Sequence, residues 1–323
     1  MRYLPLLASL IAGAVPGVTA QSLSTKLTNP IYVQTAGIPG TPTVKANLVS
    51  DAGFNGLMCE DASSSLKEMA TALHQRKNGL IGIWRNAKDD IAGDHVILDT
   101  AGPFVFMFVP KGFYNNDAEA AAAIAVIADR IAPSGRKIAI YPHAPDYVSN
   151  SLDAAKIAKL AKRANVGISF NLCHELMYCN VNHLAFAPRL DSLVKNSMPY
   201  IFTASISGGD SVGDNWGVLI RPLGEGTFNL FPVVQTLMDH NFKGPFLLQA
   251  FGINQDAKTH LAKSMIVWKD FQKRIPATTS VLGLAPRLQS RPTGFLYNLQ
   301  GRELVTGSGS KSNRVLTVIR ILP

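Results

Sequence analysis

The sequence predicts an α/β fold, a closed (β/α)8 barrel, and three observations lead there. Eight short β-branched or apolar runs punctuate the chain between Ile31 and Phe251, and most intervals between them carry apolar residues at helical period. The alternation fills about 250 residues, the length in which eight β-then-α units close into a parallel barrel. In a chain of 323 residues, 47% hydrophobic and 16% charged, there is apolar material for one large core. An open doubly wound sheet is the alternative, but it calls for a Gly-rich phosphate turn after the first strand, and GIPGTP from Gly37 to Pro42 matches that poorly.

The elements follow in order. Residues 1–20 stand outside the barrel: Arg2 precedes the apolar run Leu4 to Val15 and then Val18-Thr19-Ala20. This reads as a secretory signal peptide cut near Ala20-Gln21, and the run is too short to span a bilayer. Export to the periplasm, the cell surface or the exterior is therefore expected. The barrel is assigned to residues 29–275. Its strands are read at Ile31–Gly37, Phe54–Glu60, Gly79–Arg85, Phe104–Val109, Lys137–Tyr141, Val166–Phe170, Tyr200–Ser205 and Phe246–Phe251. Ile124, Ile127, Ala128 and Ile131 keep the i, i+3, i+4, i+7 spacing of a helix face, as do Ile157, Leu160, Ala161 and Ala164. Leu230, Val234, Leu237 and Met238 form a third such face. Asn116 with Glu119 forms a capping box, and Asp256 starts the last helix, whose inner face is Leu261, Met265 and Trp268. No segment after residue 20 is long and apolar enough to cross a membrane.

Residues 276–323 form a basic extension with six Lys or Arg against the single acid Glu303. Without a basic helix in it, and in a chain expected to be exported, no nucleic-acid partner is expected. The extension holds two β-like runs, GFLYNLQGRELV and VLTVIRIL, around a Ser, Gly and Lys break that reads as a hairpin turn. Cys59, Cys173 and Cys179 are odd in number and lack a C-x-x-C pair, so neither a zinc knuckle nor a disulfide framework is implied. A Cys173–Cys179 bridge is the one pairing left open.

In a parallel barrel the chemistry gathers where loops leave the carboxyl ends of the strands. Those positions carry Glu60 and Asp61 after strand two, Trp84 and Arg85 after three, Lys111 after four, and Tyr141 and His143 after five. Asn171, His174 and Glu175 follow strand six, Ser205 and Asp210 strand seven, and Gln249 strand eight. FNLCHEL, which ends strand six, is expected to lead His174 into the loop above the barrel, with Asn171 and Cys173 on one face. The bland readings are an N-cap for Asp61, a core ring for Trp84 and a solvated loop charge for Lys111.

IAIYPHAPDYV, VGISFNLCHEL, WGVLIRPLGEGTFN, and GPFLLQAFG followed by HLAKSMIVWKDF resemble the second half of the sugar phosphate isomerase/epimerase proteins with a xylose isomerase-like TIM barrel. The resemblance runs from about Ile31 to Arg274 and is closest from Lys137 onward. It implies a pocket for a sugar or polyol, with a divalent ion held by Glu, Asp, His and Glu from strands five to eight. Here those positions hold Tyr141, Asn171, Ser205 and Gln249, all neutral, so no metal cofactor is expected. His174 matches the His of the D-x-x-H pattern, which implies contact with substrate hydroxyls.

The expected function is therefore a sugar isomerase or epimerase, with Glu60 or Glu175 as base and His174 as its partner. Trp84, Lys111, Tyr141, His143, Asn171, Ser205 and Gln249 are expected to contact substrate, a small unphosphorylated carbohydrate, because no paired Lys and Arg phosphate clamp is visible. Two alternatives stay open. One is a non-catalytic carbohydrate-binding barrel; the other is a glycoside hydrolase or lyase using Glu60 and Glu175 as facing carboxyls about 5–10 Å apart. The basic extension also resembles the end of the C-terminal sorting domains of type IX secretion substrates, through Tyr297-Asn298-Leu299, Gly301-Arg302 and a final basic strand. That resemblance implies secretion machinery as a partner.

Overall fold

Every one of the eight runs becomes a strand, and the strands close on themselves. The computed structural model describes residues 26–60, 65–87 and 102–275, with the backbone of 296–297 and 303–304. The strands are β1 (Ile31–Gln34), β2 (Gly56–Cys59), β3 (Gly79–Asn86), β4 (Phe104–Phe108), β5 (Lys137–Tyr141), β6 (Val166–Asn171), β7 (Ile201–Ile206) and β8 (Phe246–Leu248). They pair in sequence order, and β8 returns to β1 in parallel through Ile31 opposite Phe246 and Val33 opposite Leu248. In β5, Ala139 and Tyr141 face the barrel interior while Ile138 and Ile140 pack outward, the alternation a pleated strand imposes. The interior is filled by Met58, Phe104, Phe106 and Leu247, so this is a packed core with its opening at one end.

Among the described residues the helices are α1 (Pro42–Ala52), α2 (Leu66–Gln75), α3 (Asp117–Ile131), α4 (Ser151–Ala161), α5 (Leu172–Val181), α6 (Leu190–Ser197), α7 (Trp216–Leu219), α8 (Phe231–Asp239) and α9 (Ala257–Arg274). The Asn116 cap forms, its Oδ1 accepting from Glu119 N at 2.9 Å, but Glu119 reaches back to Asn115 N at 3.1 Å. The reciprocal half of the capping box is displaced by one residue. Asp256 caps α9 through Thr259 N at 2.9 Å, and Leu261, Met265 and Trp268 are buried as expected.

Two expectations are corrected. α4 ends at Ala161 because Lys162 turns left-handed at φ 52°, so Ala164 lies beyond the helix, and Leu160 is 43% exposed. The inner face is instead Ala154, Ala155, Ile157, Ala158 and Ala161. FNLCHEL does not end in a loop: α5 starts directly after Asn171, which puts Cys173, His174 and Glu175 on its first turn. Consecutive helical residues point about 100° apart, so neighbours in sequence diverge in space.

All three cysteines are buried and free. Residues 280–323 form a unit of their own, where Leu296–Tyr297 pairs antiparallel with Glu303–Leu304. That pairing falls inside GFLYNLQGRELV, whereas the sequence placed the turn after it. Residues 1–20, Asp61 and VLTVIRIL lie outside the described residues. No described helix is long and apolar enough to cross a membrane.

Candidate active site

A cavity of about 330 Å³ opens at the carboxyl end of the barrel. Of the predicted site residues, Glu60, Trp84, Tyr141, His143, His174 and Gln249 line it. Trp216, Ile220 and Phe251 complete the lining.

The floor is a network of neutral groups contributed by β1, β5, β6, β7 and the end of β8. Gln34 Nε2 donates to Tyr141 Oη and to Ser205 Oγ, each at 3.1 Å. Gln249 Nε2 donates to the same phenol oxygen at 3.0 Å, and Phe251 N donates to Gln249 Oε1 at 3.2 Å. Asn171 Nδ2 reaches Pro142 O at 3.4 Å, and its Oδ1 accepts from Cys173 Sγ at 3.4 Å. Burial pushes the Tyr141 phenol far above its usual range and the Cys173 thiol up to about 12, so both stay protonated.

This donor set does not fit a hard divalent cation. Two amide N–H groups converge on the central phenol oxygen, a field of the sign that repels a cation, and none of Tyr141, Asn171, Ser205 and Gln249 carries negative charge. Among the described residues, no three His, Cys, Asp or Glu side chains gather where they could hold a metal ion.

The wall is aromatic. Trp84 stacks on Phe108 at 5.4 Å, Phe108 meets His143 at 4.9 Å, His143 meets His174 at 4.4 Å, and His174 meets Trp216 at 4.7 Å between ring centroids. Asn215 Oδ1 caps the short α7 through Val218 N at 3.3 Å, and an Arg221–Asp210 ion pair braces the loop from which Trp216 projects. His174 Nδ1 accepts from Ala144 N at 3.0 Å, which leaves the ring proton on Nε2. Burial, with His143 beside it, holds its pKa well below the usual imidazole range, so the ring is neutral. Glu60 enters from β2, half-buried, its amide donating to Thr35 Oγ1 at 3.0 Å.

Four predicted residues do not reach the cavity wall. Asn171 and Ser205 lie fully buried in the floor network. Lys111 is exposed on the loop after β4, and only its backbone N is engaged, by Asp146 Oδ1 at 3.3 Å. Glu175 is 1% exposed and turned away, its Oε1 accepting from Ser151 N at 2.5 Å at the start of α4. The carboxylate sits where a helix N-terminus attracts negative charge, yet burial pushes its pKa up to about 7. With Glu175 buried, the facing carboxyls a glycoside hydrolase needs are not formed by Glu60 and Glu175.

Gln34, Trp216, Ile220 and Phe251 were missed from sequence. A polar residue ending the apolar IYVQ was a usable sign of an inward position at a barrel mouth. Trp216, the first residue of α7, and Phe251, which follows β8, carried no pattern that marks a cavity wall.

A family model described as xylose isomerase-like TIM barrel matches residues 101–270. No curated protein sequence matches the chain at a significant level. Among solved structures, the chain is similar to a xylose isomerase-like TIM barrel/4-hydroxyphenylpyruvate dioxygenase fusion protein, with TM-score 0.60 and 12% identity over 83% of this chain; the match spans 47% of that chain. It is also similar to 3-keto-D-glucoside 4-epimerase from E. coli, with TM-score 0.58 and 12% identity over 74% of this chain and 98% of that one. D-Psicose 3-epimerase from Clostridium cellulolyticum H10 aligns with TM-score 0.56 and 10% identity over 76% and 99%. At these identities the likeness is one of fold.

Proposed function

Because the chain belongs to the xylose isomerase-like TIM barrel family, we propose that its mouth takes a small neutral carbohydrate and carries isomerase- or epimerase-type chemistry without a divalent metal. The observation that carries this reading is the pairing of an aromatic wall with a floor of amides and hydroxyls. Ring faces cover the apolar C–H side of a sugar, and the polar groups that reach the cavity, Tyr141 and Gln249 of the floor with His143 and His174, meet its hydroxyls. The described lining contains no Lys or Arg, so it offers no clamp for a phosphate. The names of two epimerases with this fold, 3-keto-D-glucoside 4-epimerase and D-psicose 3-epimerase, support the same substrate class.

Calorimetric titration with D-fructose, D-tagatose and D-ribulose tests the reading. At least one is expected to bind, and His174→Ala is expected to weaken it by about 1–3 kcal/mol, the range for a lost buried hydrogen bond, with the fold retained. Unchanged affinity in that variant would remove His174 from the site, and no binding by any of the three would remove the carbohydrate reading.

The metal-free part has its own test. Asn171→Asp, restoring the carboxylate the family position implies, is expected to leave the protein without stoichiometric Mn²⁺ or Zn²⁺ after dialysis, because Tyr141, Ser205 and Gln249 still lack charge. One equivalent of metal in the wild type, lost to a chelator together with sugar binding, would overturn the proposal.

A further inference from the structure

We propose that His143, set by Asp146, is the proton-accepting group of this site and that His174 is the donor to the oxygen beside the reacting carbon; the inference rests on the carbohydrate reading above. Its basis is that two imidazoles whose centroids are 4.4 Å apart have their Nδ1 atoms met by opposite kinds of partner, a carboxylate at His143 and an amide N–H at His174.

β5 runs into the turn His143-Ala144-Pro145-Asp146, closed by Asp146 N donating to His143 O at 2.7 Å and by His143 N donating to Val148 O at 2.8 Å. The turn folds the Asp146 carboxylate back beneath the ring, with Oδ2 at 3.1 Å from His143 Nδ1. Its other oxygen accepts from Lys111 N at 3.3 Å, so loops after β4 and β5 both hold it. In the proposed arrangement the Asp146 carboxylate accepts from Nδ1–H of His143, which turns the Nε2 lone pair toward the cavity. His174 is arranged the other way, because the amide of Ala144 occupies its Nδ1 and leaves an Nε2–H donor. The same turn thus assigns both tautomers.

The titratable groups facing His143 are Asp146 on its own loop and His174 on α5. Phe108 and Trp216 close the other sides. Glu60 stands across the mouth, since β2 lies opposite β6 in a closed ring of eight strands and one strand away from opposite β5.

The step balances without a co-reactant. His143 Nε2 takes the proton from a carbon next to a ketone, the C–H pair becomes the C=C bond of the enolate, and the carbonyl π pair moves onto oxygen, where His174 Nε2–H donates to it. Return of a proton from His143 restores the substrate. Delivery from Glu60 on the other face gives the epimer, after which His143 loses its proton to water and Glu60 regains one. In this scheme His143 is catalytic and Asp146 is a positioning residue.

Three readouts test the scheme on the full chain. Long-range ¹⁵N-histidine NMR is expected to show His143 protonated on Nδ1 and His174 on Nε2. In D₂O, the wild type is expected to exchange the hydrogen next to the carbonyl of D-fructose, D-tagatose or D-ribulose for deuterium. Asp146→Asn, which can donate to Nδ1 and reverse the tautomer, is expected to slow that exchange about 10²–10⁴-fold with calorimetric affinity little changed, and His143→Gln to slow it by a similar factor. An unslowed exchange in Asp146→Asn, or a wild-type His143 proton on Nε2, overturns the proposal. Sugar binding without exchange in the wild type sinks the proton-transfer scheme and leaves the carbohydrate reading standing; absence of binding sinks both.

Discussion

Glu175→Gln is expected to be more stable than the wild type by about 3 kcal/mol near pH 9 and of equal stability near pH 4, as read from urea midpoints at the two pH values. The cause is burial: the carboxyl is 1% exposed, and its pKa in the folded chain is raised from the ordinary 4.5 to about 7. Between those values the folded chain holds a proton that the unfolded chain has released, so stability is full below the unfolded pKa and is lost as pH rises through about 7. A difference of about two and a half pKa units corresponds to about 3 kcal/mol at 1.36 per unit. Glutamine keeps an oxygen for Ser151 N, as the wild type has at 2.5 Å, and carries no charge to bury. A wild-type and variant pair with the same pH dependence would show that the carboxylate is solvated in the folded state. Retained sugar binding and proton exchange in the variant are expected as well, since Glu175 does not line the cavity.

Trp268→Ala is expected to cost about 3–5 kcal/mol of unfolding free energy, the range for emptying a large buried aromatic site. Trp268 is among the largest fully buried side chains, and its ring lies 4.9 Å from that of Phe246, where α9 packs against β8. β8 is three residues long and closes the barrel onto β1, so little else there can collapse into the space. A loss below about 1 kcal/mol would mean the helix can shift to refill the site.

The barrel was legible because its signals are local. A strand of β-branched and apolar residues bounded by polar ones reads the same wherever it lies, and Lys137–Tyr141 came out with the same ends in structure as in sequence. The neutral character of Tyr141, Asn171, Ser205 and Gln249 was equally legible, since it needs only their identities and the strands they end. Ala164 failed because the spacing rule presumes an unbroken helix, and the left-handed Lys162 stops α4 first.

The site was legible in part. His174 and Glu175 are adjacent, and the sequence assigned both to the mouth; one reaches the cavity and the other is buried against Ser151. Gln34 bonds to Tyr141 across 107 positions, a contact that no local pattern encodes.

By itself, then, the sequence determined the eight strands, the end of the barrel where chemistry gathers and the neutral character of the four strand-end positions, because each depends on residue type and short-range period. Only the tertiary structure decided which groups share the cavity, which partner meets Nδ1 of each histidine and which carboxylate is buried. Barrel closure brings distant strand ends within hydrogen-bond reach, while the turn of a helix sends neighbouring side chains about 100° apart.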